Sequence, residues 1–211
     1  MINSLKSDKA MKEATKVWKA LKRAIKRFNE GADQEKLLGP RNPKSGRGPA
    51  ASERAIAHRL AFYLELALRK DGLVTNTSKL AVDCEYNRHG SKAKTLAAEG
   101  EIKAIVKAAR KRKKRILDED GFLVFSVAPD IVVHQRGKDE ANRLIIEIKK
   151  ATNRETPRYD ASKLELFTTP RDDYYGYGYN FGAWVIAEDR LPPAKRKLRI
   201  AAKYHEGKII K

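Results

Sequence analysis

The sequence predicts an α/β fold of the α+β type, with helices and strands interleaved along one chain. Three observations point there. Two apolar strand-like runs, Val127–His134 and Arg143–Lys150, flank the polar stretch Gln135–Asn142, which is the pattern of a β-hairpin. Residues 8–30 and 52–69 carry apolar side chains at helical period. The chain has 211 residues, ample for one core with an appendage. The expected division is a basic amphipathic helical extension at 1–38, a Gly/Pro linker at 39–50 and one folded domain at 51–211.

Composition narrows the function classes. Lys plus Arg number 46 against 27 acids, for a formal charge of +19. Such an excess predicts a polyanionic partner, with nucleic acid, most of all DNA, in the lead. A single cysteine, Cys84, excludes an intramolecular disulfide framework and fits a reducing compartment. His58, His89, His134 and His205 are scattered, and no Cys/His zinc spacing occurs. No apolar run approaches a membrane span, and the N-terminus lacks the apolar region of a signal peptide. A soluble cytoplasmic protein is expected.

The first element is a helix over 8–30. Met11, Ala14, Trp18, Leu21, Ile25 and Phe28 recur at steps of three and four and form a seam. Lys12, Lys16, Lys19, Lys22, Arg23, Lys26 and Arg27 cover the remainder. The seam is expected to dock on the core or on a second copy of the chain, and the basic face to meet phosphates. Gly39–Ala50 holds three prolines and three glycines and reads as a linker. In the helix over 52–69 Ser52 is a plausible N-cap, and Ile56, Ala57, Leu60, Leu64, Ala67 and Leu68 form the apolar stripe. Glu53 heads that stripe, where an acid favours the positive end of the helix dipole. Residues 78–87 suggest a strand with Asp83 and Glu85 on one face. Residues 92–116 read as a basic helix ending in Arg110, Lys111, Arg112, Lys113, Lys114 and Arg115. That run is either a solvated helix end or a phosphate-binding segment, and on this chain the second reading is preferred.

The hairpin carries the chemistry. In its second run Leu144, Ile146 and Ile148 share one face, and Ile145, Glu147 and Lys149 the other. In the first run Asp130 follows Pro129 amid Ile131, Val132 and Val133. Proline cannot donate to a ladder, so Pro129 marks an edge, a strand start or a bulge, and a bulge could turn Asp130 toward Glu147. Ionised groups in apolar strands are costly unless paired or bound to something. Two carboxylates suit Mg²⁺, a hard cation that takes one or two protein carboxylates and keeps several waters. A lysine beside them can position water or stabilise charge on phosphate. The plain structural reading is that Asp130 ends a strand and Glu147 and Lys149 form a surface ion pair. The apolar setting favours the metal site.

Beyond the hairpin, a short helix near 159–168 offers Leu164, Leu166 and Phe167 for packing, with Lys163 among them. The tyrosine- and glycine-rich stretch 172–182 could stack on bases but reads as a strand, since Ala183–Ala187 continues it. Residues 197–204 and 207–210 form a closing hairpin around Glu206-Gly207.

Pro129-Asp130 and Glu147-Ile148-Lys149, with sixteen residues between the two acids, resemble the motif of the PD-(D/E)XK nuclease superfamily. The order of elements over about residues 51–190 agrees with that family's core. The resemblance implies a restriction-endonuclease-like mixed central sheet flanked by helices, with the basic helix as an insertion. It implies Mg²⁺-dependent phosphodiester hydrolysis, with Mn²⁺ as a substitute. Asp130, Glu147 and Ile148 would hold the ion, and Lys149 would assist the attacking water. Many such families have a glutamate on the first core helix, so Glu53 is a further candidate ligand. Glu85-Tyr86-Asn87-Arg88 resembles a segment found before the PD strand in some members, which makes Glu85 another.

Two other classes compete with a nuclease. A non-catalytic nucleic-acid-binding module could keep the fold, but a binder has no need of Asp130, Glu147 and Lys149 together. A structural protein whose charge alone matters has no use for carboxylates within apolar strands. Assembly through the N-terminal helix, as a homodimer or within a larger complex, stays open at this level.

Overall fold

The computed structural model describes residues 2–39, 51–86, 95–98, 116–117, 123–126, 128–138, 141–153, 157–170 and 176–210. Its centre is a mixed six-stranded sheet. In chain order the strands are β1 (Leu80–Cys84), β5 (Ile131–Gln135), β6 (Leu144–Lys150), β7 (Phe181–Ala187), β8 (Leu198–His205) and β9 (Lys208–Ile210), and this is also their order across the sheet. All neighbours are antiparallel except β6 and β7. That parallel step requires a crossover, supplied by helix α4 (Pro157–Thr168). Among the described residues three helices precede β1: α1 (Ile2–Glu30), α2 (Ala32–Leu38) and α3 (Glu53–Lys70).

The alternation read in 144–149 sorts side chains between two cores. Leu144, Ile146 and Ile148 lie in the larger one, with Val17, Leu21 and Phe28 of α1 and Ile56, Leu60 and Leu64 of α3. Ile145 lies in the smaller one, with Val132, Leu164 and Phe167. The sheet is therefore a middle layer, with α1 and α3 on one face and α4 on the other.

The seam of α1 is used within the chain. Ala14, Leu21 and Phe28 are fully buried, and Met11 and Trp18 are partly so. The Trp18 ring lies 5.8 Å from that of Phe181, and Glu13 accepts from Arg143 Nε at the start of β6. The Asn29 side chain donates to the Leu198 carbonyl and accepts from the Leu198 N–H, completing the edge of β8. Lys12, Lys16, Lys19, Lys22, Arg23, Lys26 and Arg27 are exposed. Ser52 caps α3 by accepting from the Ala55 N–H.

Several expectations are corrected. Residues 92–116 are not one helix: Thr95–Ala98 (β2) and Ile116–Leu117 (β3) pair antiparallel with Leu123–Ser126 (β4) in a separate three-stranded sheet. At Thr95–Ala98 and Ile116–Leu117 cross-strand hydrogen bonds take the place of the helical ones expected there. Arg110, Lys111, Arg112, Lys113, Lys114 and Arg115 lie outside the described residues, as does 40–50 of the linker. The strand expected over 78–87 ends at Cys84, because Glu85 takes a left-handed backbone with φ of 50°. Of the described residues of the aromatic stretch, those from Phe181 on join the sheet. Gly178 interrupts it at φ of 63°, and Tyr179 is buried, edge-on to Phe167 at 5.9 Å. The tyrosines described there, Tyr177 and Tyr179, serve the core rather than a base-stacking surface. The closing hairpin is as expected, with Glu206 and Gly207 both at positive φ as a type I′ turn demands.

Candidate active site

Strand β5 lies between β1 and β6, so Pro129 marks a strand start and neither an edge nor a bulge. Ile131 pairs with Ile146, which sets Asp130 one step beyond the ladder, beside Glu147. Asp130 Oδ2 accepts the main-chain N–H of Ile148 at 2.6 Å. The two acids thus stand opposite each other, Asp130 just before β5 and Glu147 in the middle of β6, although no bulge brings them together. Burial pushes the Asp130 carboxyl up to about 6, against the opposing pull of the Ile148 N–H.

Glu147 points to the α4 face and is 3% exposed. Burial pushes its carboxyl up to about 8. Its Oε2 accepts from Lys163 Nζ at 2.6 Å. Its Oε1 is buried with no hydrogen-bond partner among the described residues. Lys163 also approaches Asp160 Oδ1, one turn earlier in α4, at 3.1 Å. Burial opposes the Lys163 charge, but the Glu147 and Asp160 carboxylates outweigh it and raise its affinity for the proton.

Lys149 shares the face of Glu147, as the alternation predicts. Its Nζ lies 3.4 Å from Asp160 Oδ2 and 4.0 Å from Glu53 Oε2. Glu53 comes from the first turn of α3, on the other face, and reaches the end of the sheet. Its Oε1 accepts the Lys150 N–H at 2.8 Å and the Asn153 side-chain amide at 3.1 Å. The acid that could have served only the helix dipole thus also meets the end of β6. Ile148 buries its side chain in the larger core, and its main-chain carbonyl is the one oxygen it can offer.

Glu85 is placed differently. Its N–H donates to the Asp130 carbonyl at 3.2 Å, but its carboxylate is engaged by Arg54 at 2.8 Å. The left-handed turn at Glu85 parts it from Asp83, with which it was expected to share a face. Asp83 Oδ2 meets His134 Nε2 at 3.0 Å and Arg136 Nε at 2.8 Å, and these partners outweigh burial to hold its carboxyl well below the usual range.

Asp160 and Lys163 are the members of this cluster that strand spacing does not reveal. The signal is in α4 itself: positions 160, 163, 164 and 167 fall on one helical face, all four are buried, and Leu164 and Phe167 are its apolar members. Two charged residues in an apolar stripe need partners across the interface. The result is four carboxylates, Asp130, Glu147, Asp160 and Glu53, interleaved with the ammonium groups of Lys149 and Lys163. Among the described residues no three acidic, imidazole or thiol groups converge into a ready-made cation cage.

No protein-family model, no curated protein and no solved structure matches the chain. Among the described residues no helix is long and apolar enough to cross a membrane.

Proposed function

We propose that the chain is a Mg²⁺-dependent nuclease of the PD-(D/E)XK type, restriction-endonuclease-like in its sheet, that hydrolyses phosphodiester bonds of DNA. The observation that carries the reading is the placing of Asp130 opposite Glu147 on neighbouring strands, with one Glu147 oxygen buried and unpartnered among the described residues. A buried carboxylate oxygen without a donor is costly, and a divalent cation would satisfy it. The donor set fits such an ion, since Mg²⁺ takes only one or two protein carboxylates and fills its other positions with water and phosphate oxygens. Asp130 and Glu147 would hold it, with the Ile148 carbonyl and Glu53 as further oxygens at the same sheet end. When bound, Mg²⁺ supplies Lewis-acid polarisation of the phosphate and a more acidic water.

The remaining roles fall to the chain's own residues. Lys149, 13% exposed at its side chain and facing the carboxylates, would position the attacking water or stabilise charge gathering on phosphate. The exposed cations of α1 give the backbone of a nucleic acid an electrostatic surface without base readout.

Incubation of the purified chain with supercoiled, linear, single-stranded and branched DNA and with RNA tests the proposal, in Mg²⁺, Mn²⁺ or EDTA. Asp130→Ala, Glu147→Ala and Lys149→Ala run alongside. The expected result is metal-dependent cutting of a DNA substrate by the parent, lost in all three variants while DNA binding persists. Binding to every substrate with no cutting in any metal would make the chain a binding module instead.

A further inference from the structure

The proposed metal ligand Glu147 already has a cationic partner. The Lys163 ammonium stands 2.6 Å from its Oε2, and the two side chains are 8% and 4% exposed. A lysine kept for solubility extends its ammonium to water, because that group is compact and strongly hydrated. Lys163 does the reverse: it turns a charge inward, and the carboxylates beside it offset the lost hydration. The pairing is also incomplete, since it serves Oε2 and leaves Oε1 without a donor among the described residues. Asp160, one turn away on the same helix, holds the ammonium from a second side at 3.1 Å. Lys163 could therefore give up Glu147 and still keep an anionic neighbour. Asp160 in turn lies 3.4 Å from Lys149, so both ammonium groups share one carboxylate.

We infer that Lys163 and a divalent cation compete for Glu147, with Asp160 receiving the ammonium when the cation takes the carboxylate. The inference rests on the metal-site reading above and adds control over it. Metal binding at Glu147 is weakened by a built-in rival charge, which makes tight binding depend on further oxygens such as those of a substrate phosphate.

The test is Mg²⁺ titration of the parent, Lys163→Met and Lys163→Gln by calorimetry and by thermal melting, against EDTA controls and without substrate. The expected result is Mg²⁺ affinity at least about tenfold higher in both variants than in the parent, with a larger rise in melting temperature on adding the ion. If neither variant folds, amine labelling of the parent is read by mass spectrometry at Lys163. Mg²⁺ should then raise its reactivity, and unchanged or lower reactivity would overturn the competition. Mg²⁺ binding by the parent with equal or weaker binding by the variants would overturn it as well. Absence of Mg²⁺ binding in parent and variants alike would instead remove the metal site on which it rests.

Discussion

Asp130 Oδ2 and the main-chain N–H of Ile148 lie 2.6 Å apart, joining the residue before β5 to the middle of the Glu-x-Lys segment of β6. The bond ties the two halves of the motif together through backbone, independent of any bound ion. It also holds an acid where burial disfavours its charge, with the carboxyl at about 6. Stability and the proposed chemistry therefore pull in opposite directions at this residue.

Asp130→Asn keeps an acceptor for the Ile148 N–H and removes the buried charge. At pH 8 the variant should be as stable as the parent or more so, by up to about 2 kcal/mol. The proposed nuclease activity should be absent. Urea unfolding beside a cleavage assay checks both, and a loss of stability at pH 8 would show that the ionised carboxylate stabilises the fold.

Two carboxyls give the stability opposite pH trends. Burial raises Glu147 above its ordinary 4.5, against the Lys163 ammonium that favours its carboxylate, so between the two values the folded chain holds more proton there than the unfolded chain does. Its contribution is full below about pH 4.5 and is lost as pH rises toward 8, at no more than about 1.4 kcal/mol per pH unit. Glu147→Gln should flatten that decline. Asp83 is shifted down from 3.8, so its contribution is present above that value and is lost as pH falls below it. Asp83→Asn should reduce the loss on the acid side and cost about 1–3 kcal/mol at neutral pH by weakening the bonds to His134 and Arg136. Melting curves from pH 3 to 9 separate the two.

Helix α1 is expected to fold and unfold with the sheet. Phe28 is fully buried in the core it shares with α3 and the sheet. Phe28→Ala should cost about 3–5 kcal/mol in a single cooperative transition. A separate early transition, with the sheet's melting unchanged, would show that the helix is an independent appendage.

Much of the fold was legible in the chain. Period two in 144–149 assigned each side chain to a face, because successive Cβ atoms in a strand must alternate. The steps of three and four from Met11 to Phe28 drew the buried side of α1. Proline at 129 narrowed its position to an edge, a strand start or a bulge, since it cannot donate to a ladder, and Glu206-Gly207 marked a turn, since glycine readily takes positive φ. Spacing assigns a side chain to a face but names no partner across the gap. The Lys163 contact with Glu147, the reach of Glu53 around the sheet end and the departure of Glu85 to Arg54 were decided by tertiary packing. So was the pairing of Thr95–Ala98 with Leu123–Ser126, where a distant strand supplied hydrogen bonds that a local helix would otherwise have made. Backbone geometry is local and can be read from period. Charge pairing acts through space, and only the fold sets those distances.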